Sequence, residues 1–210
     1  MLLNEPSTLI TDFAMGAAAL TFTVLLVKRL AGQDSRAWWV ATFALTGLAS
    51  FVAGFYHGFK GIWPDSIITS LDIVTVLAMI GVSFCFLLGT ARSLVSRKYF
   101  DMLFVAALIK TVFFIIWNVT HRVYLYVIAD YAPALLAVAV FSIWRWGKPA
   151  SRWLVAGMAI SVFGALVQQL NYDPVSWFNH NDVYHVIQIA GLYLFFRGAI
   201  LLRDGQGAKT

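Results

Sequence analysis

Long apolar runs, following one another along the whole chain, constrain this sequence more than any other feature. A hydrocarbon layer of ~30 Å demands about 20 mainly apolar residues for each helical crossing. Seven segments meet that length, at about 7–30, 36–58, 66–91, 99–118, 121–145, 150–171 and 181–203. The connections are short turns, such as Ala31-Gly32-Gln33-Asp34-Ser35 and Gly61-Ile62-Trp63-Pro64-Asp65. They leave no room for a soluble domain, so residues 1–210 are expected to form one unit. Only 12% of residues are charged and 60% are apolar, with mean hydropathy +0.78. A soluble domain carries roughly 25% charged residues, so these charges are too few to solvate a globular surface. The sequence predicts an all-α, polytopic integral membrane protein with seven transmembrane helices, in a bacterial inner membrane or an organelle membrane. Glu5 and Asp12, where a cleavable signal carries Lys or Arg, make the first run a span rather than a leader.

Orientation follows from the basic residues. One set of turns holds Lys28, Arg29, Arg36, Arg92, Arg97, Lys98, Arg145, Lys148 and Arg152, and the last segment adds Arg197, Arg203 and Lys209. The opposite set holds only Lys60 and Arg122. The positive-inside rule then places the N-terminus outside and the C-terminus in the cytoplasm. The net charge of +5 is accounted for by those cytoplasmic turns and calls for no nucleic-acid partner. The single cysteine, Cys85, lies inside an apolar run and offers neither an internal disulfide nor a cysteine metal site.

With that orientation the outer half collects the titratable residues. All four histidines fall there, with Glu5, Asp12, Asp65, Asp72, Asp173 and Asp182. Asp12, Asp72 and His185 lie about 6–9 Å below the outer helix ends. Carboxylates at that depth are costly against lipid and usually face a cavity or an ion. His57 and His185 reach similar depths on different helices. Asp182, three residues before His185, shares its helix face. Three ligands and an open position make a catalytic zinc site, and His57, Asp182 and His185 are the candidate ligands. Asp72, Asp12 and Glu5 are the candidates for a general base or for a group orienting a metal-bound histidine. The competing reading is structural, with Asp182 as an N-cap or first-turn residue of the last helix and Asp12 as an ordinary N-terminal acid.

A second polar pair lies deeper. Lys110 and Asp130 each sit about 12–14 Å from their shared outer turn on adjacent antiparallel segments. A fixed ion pair joining helices 4 and 5 is the preferred reading, and a proton or substrate relay the alternative. Pro133 is expected to kink helix 5 beside Asp130. Gly47 and Gly54, seven apart on helix 2, point to close helix packing. The tryptophans fall mostly near helix ends, as an interfacial belt.

These residues resemble a family. Seven helices with the N-terminus outside, His57 in Gly54-Phe55-Tyr56-His57 late in helix 2, Asp72 early in helix 3 and His185 in the motif opening helix 7 resemble the CREST superfamily. That group includes the alkaline ceramidases and the progestin and adipoQ receptors. The resemblance implies a zinc ion held by the helix-2 His and by a His-x3-His pair of helix 7, with a Ser one turn before the helix-2 His. Here the first helix-7 position is Asn181 and the Ser position is Ala53, with Ser50 one turn further back. Glu5 is similar to an N-terminal acid of the ceramidase branch.

Two classes of function follow. One is a zinc-dependent membrane hydrolase that cleaves an amide or ester bond of a lipid-like substrate in the outer leaflet. The other is a non-catalytic receptor-like or transporter-like protein that binds a ligand, cation or proton in the same outward cavity. Haem ligation by His57 and His185 is a third, thinner reading. A retinal Schiff base is not expected, because helix 7 carries no lysine. Membrane lipid is the expected partner in every case.

Overall fold

The computed structural model describes residues 3–205, apart from the side chain of Tyr124, so Lys209 lies outside the described residues. Seven helices form in the order α1 (Pro6–Val27), α2 (Asp34–Phe59), α3 (Asp65–Leu94), α4 (Arg97–Thr120), α5 (Tyr124–Trp144), α6 (Pro149–Gln169) and α7 (His180–Ala199). Each coincides with one apolar run. α1 to α6 are long and apolar enough to cross a membrane. α7 is not counted with them, because Asn181, Asp182, His185, Gln188 and Arg197 interrupt its apolar surface. Prolines mark the starts of three helices: Pro6 and Pro149 lie in the first turns of α1 and α6, and Pro64 is the N-cap of α3. An N–H at such a position has no intrahelical partner to lose.

The helices run alternately up and down, and α1 lies beside α7 to close a ring α1–α2–α3–α5–α6–α7. α4 packs outside that ring, against α3 and α5. Its only buried residues are Ala107 and Asn118. Where lipid surrounds a bundle, helices associate by close packing rather than by escape from water, so small residues set the spacing. A Cβ at Gly47 would meet Leu20, and one at Gly54 would lie 2.7 Å from the Phe13 ring and 3.2 Å from Asp12 Cβ. The expected close approach at Gly47 and Gly54 is therefore present, and it presses α1 onto α2. Gly157, Gly191 and Gly198 do the same between α6 and α7.

The two ends of the bundle differ. Toward the end carrying most of the arginines, an aromatic core joins Trp39, Phe43, Phe86 and Phe195. The Trp39–Phe86 and Phe86–Phe195 centroids lie 5.2 and 5.3 Å apart, edge to face. That end is fastened by Asp204, whose carboxylate accepts from the backbone N–H groups of Asp34 and Ser35 at 2.6 and 3.3 Å and so caps α2. Asp34 in turn holds Arg92 at 3.0 Å. The opposite end carries His57, His121, His180 and His185, at the C-termini of α2 and α4 and the N-terminus of α7.

Candidate functional site

At the histidine end α1, α2 and α7 meet, and their polar residues interlock. α7 begins with a capping box. The Asn179 side chain accepts from the N–H groups of Asn181 and Asp182 at 2.8 and 3.2 Å, and Asp182 Oδ2 accepts from the Asn179 N–H at 2.8 Å. The reciprocal bonds satisfy orphan donors of the first turn. They also fix Asp182, fully buried, in one rotamer. Its other oxygen accepts from the Thr11 hydroxyl of α1 at 3.2 Å. Thr8 receives the Asn179 amide at 3.3 Å. The start of α7 is thus tied to α1 at two successive helical turns.

His185, one turn deeper, bridges the two helices. Its Nδ1 lies 3.0 Å from Thr11 Oγ1 and its Nε2 lies 3.3 Å from Asp12 Oδ1. Asp12 is only 1% exposed, and its Oδ2 has no hydrogen-bond partner among the described residues. The Thr11 hydroxyl carries a single proton. When that proton goes to Asp182 Oδ1, Nδ1–H of His185 donates to Thr11, and Nε2 presents a bare lone pair to the Asp12 carboxylate. In that arrangement the two electron-rich atoms at 3.3 Å need a proton or a metal between them, whereas a Thr11 proton turned to His185 Nδ1 leaves the ring's Nε2–H to face Asp12. Asp182 and Glu5 add their negative potential to Asp12.

His57 completes the group from α2. Its Nδ1 pairs with Glu5 Oε2 at 2.9 Å, both side chains being about one-third exposed or less. Its Nε2 has no hydrogen-bond partner among the described residues. His57 is also close enough to His185 to interact electrostatically with it. Both imidazoles therefore have Nδ1 occupied by an oxygen partner. A histidine whose outer nitrogen is held by a carboxylate or hydroxyl has the orientation typical of a metal ligand.

The candidate residues sort as follows. His57, His185, Asp12, Glu5 and Asp182 are drawn to one end of the α1–α2–α7 junction. Asp182, expected as a ligand, has both oxygens engaged, by the capping box and by Thr11, and it supports the site rather than opening onto it. It stands at the third position of α7, with Asn179 as the cap. Asp72 does not join the group. It projects from α3, whose main packing is against α2, α5 and α4, and it interacts electrostatically with Lys60. Among the described residues no three of His, Cys, Asp and Glu converge tightly enough to hold a metal ion as the side chains stand.

The chain belongs to DUF6962, a family of unknown function, whose sequence model matches residues 7–204. The match takes in α1 to α7 and both ends of the bundle. No curated protein and no solved structure matches the chain.

Two residues of the site escaped the sequence reading. Thr8 and Thr11 are buried and bind α7 to α1. Their signal was present, since Thr8, Thr11 and Asp12 fall at i, i+3 and i+4 and share a helix face. The deeper pair stands where it was expected. Lys110 Nζ lies 2.6 Å from Asp130 Oδ1 and joins α4 to α5. At the rim, in the turn before α7, His180 holds Asp173 through its ring and its backbone N–H at 2.8 and 2.7 Å. Those two bonds keep the exposed Asp173 carboxyl below its ordinary range.

Proposed function

We propose that this protein is a seven-span membrane hydrolase, with its N-terminus outside, that uses a divalent metal at the α1–α2–α7 junction. The substrate class is a lipid-like amide or ester, in keeping with the resemblance to the alkaline ceramidase branch of the CREST superfamily. One observation carries the reading: a buried carboxylate oxygen of Asp12 stands 3.3 Å from His185 Nε2, in a carboxyl group whose other oxygen has no hydrogen-bond partner among the described residues. Two ligands on a tetrahedral zinc ion, each bonded at about 2.0–2.2 Å, stand at about that separation. The unpartnered Asp12 Oδ2 and the Glu5-held His57 fit the same donor set. The ligands proposed are therefore His185, His57 and Asp12, with Asp12 in the place first given to Asp182. His57 joins by a side-chain movement that brings its Nε2 inward.

Zinc there would supply Lewis acidity toward a substrate carbonyl. The chain's own residues do the rest. Thr11 and Asp182 fix the His185 ring, Glu5 orients His57, and Gly54 lets α2 approach Asp12 closely. Glu5, about one-third exposed beside His57, is the group positioned to take a proton at the mouth of the site.

The test is hydrolysis of a panel of lipid amides and esters by the purified chain in lipid, with zinc supplied and with zinc chelated. Zinc-dependent turnover that disappears in Asp12→Asn and in His185→Ala supports the proposal. A protein that retains zinc but cleaves none of the panel loses the hydrolase reading. Because Asp12 and His185 already touch, a second reading keeps the same site as a proton-binding switch in a receptor-like or transporter-like protein. It is favoured if the protein carries no zinc and its stability changes with pH through Asp12.

A further inference from the structure

The Lys110–Asp130 pair is not used by the outer site, and its surroundings are more specific than an ion pair needs. Asp130 is fully buried about two turns into α5, and Lys110 Nζ meets three oxygens. These are Asp130 Oδ1 at 2.6 Å, the Asp130 backbone carbonyl at 2.9 Å and Ser83 Oγ of α3 at 2.8 Å. The Ser83 hydroxyl is also 3.3 Å from the same carbonyl. A fourth oxygen, Asp130 Oδ2, is buried and has no hydrogen-bond partner among the described residues. Pro133 lies inside α5. It supplies no N–H to the carbonyl four residues back, that of Ala129 next to Asp130.

Carboxylate, hydroxyl and backbone carbonyl oxygens are the hard ligands that suit a sodium ion, and membrane proteins use such oxygens to coordinate it. We propose that Asp130 and Ser83 form a monovalent-cation site whose resident occupant is the Lys110 ammonium, and that sodium takes the ammonium's place. The exchange balances. One N–H bond of the ammonium breaks and its proton leaves to water. The neutral amine withdraws and one sodium ion enters, so the charge facing Asp130 stays the same. Charge balance is the reason for the exchange, because an Asp130 carboxylate left without a cation is strongly unfavourable. α4 lies outside the ring, so the lysine can withdraw without opening the aromatic core. The titratable groups around the site are Lys110 from α4, Asp130 and Tyr131 from α5, and Cys85 two residues from Ser83 on α3.

The experiment is thermal unfolding of the full chain in detergent, in sodium chloride against choline chloride at equal ionic strength. Lys110→Met empties the site of its resident cation. This variant is expected to unfold roughly 5 °C higher in sodium than in choline. Adding Asp130→Asn to it should abolish the difference. The wild-type protein should show no sodium effect at mildly acidic pH and a growing one at alkaline pH. Asp12→Asn, at the outer site, should leave that effect intact. A Lys110→Met protein that unfolds at the same temperature in both salts overturns the proposal. If that variant does not fold, a wild-type protein indifferent to sodium at alkaline pH overturns it equally.

Discussion

Asp12 and Asp130 are both sealed from solvent, and each has one carboxylate oxygen on a partner and one on nothing. Their partners differ. Asp130 faces a tethered ammonium at 2.6 Å that is also held by Ser83 and a backbone carbonyl. Asp12 faces an imidazole nitrogen at 3.3 Å whose charge depends on a proton. The surroundings differ as well. The Asp130 pair stands near mid-bundle where α3, α4 and α5 meet, whereas Asp12 lies among Glu5, His57, Asp182 and His185 at one end. The first carboxylate has a cation of the chain's own beside it, and the second depends on a proton or a metal for its counter-charge. The second is the mark of a binding site.

Removing the ligands breaks this comparison most sharply. Asp12→Asn and His185→Ala are each expected to take bound zinc from about one ion per chain to background, measured by elemental analysis, with the fold retained by circular dichroism. Lys110→Met should do the opposite. It should leave zinc in place and cost about 3–5 kcal/mol of stability, read by thermal unfolding in choline. If Lys110→Met also loses zinc, the two carboxylates are not independent.

Smaller changes sharpen the picture. Gly54→Val places its side chain on Phe13 and Asp12 and should destabilise by about 1–3 kcal/mol through overpacking. It should also weaken zinc retention, because it moves Asp12. Asn179→Ala removes the cap of α7 and frees one oxygen of Asp182, at a cost of about 1 kcal/mol. The smallest effect belongs to the rim. Asp173 is held below the ordinary aspartate value of 3.8 by His180, so its contribution is present above that pH and lost as pH falls below it. Asp173→Asn should flatten the acid limb of stability slightly and leave zinc unchanged.

Much of this was legible in the residue order. Each apolar run became a helix, and six of the seven are long and apolar enough to cross a membrane. His57, His185 and Asp12 were drawn together by similar depth, Glu5 as an acid at the start of helix 1, and Lys110 and Asp130 by their shared distance from one turn. What failed to show was lateral position. Depth put Asp72 level with the site, but α3 stands behind α2, and nothing in the α3 sequence states which neighbour it faces. Thr8 and Thr11 were overlooked because threonine inside an apolar run reads as filler. Asp182 was placed as a ligand because its capping partner, Asn179, lay outside the apolar pattern. The capping of α2 by Asp204 joins residues at opposite ends of the chain, and no local pattern announces a contact of that kind.

The shared site is tested most directly by zinc K-edge X-ray absorption on the purified wild-type protein. Near-stoichiometric zinc in a shell of two imidazole nitrogens and carboxylate oxygen at about 2.0–2.2 Å is the expected result. Zinc at background level after purification without chelator, or a shell without imidazole, contradicts it.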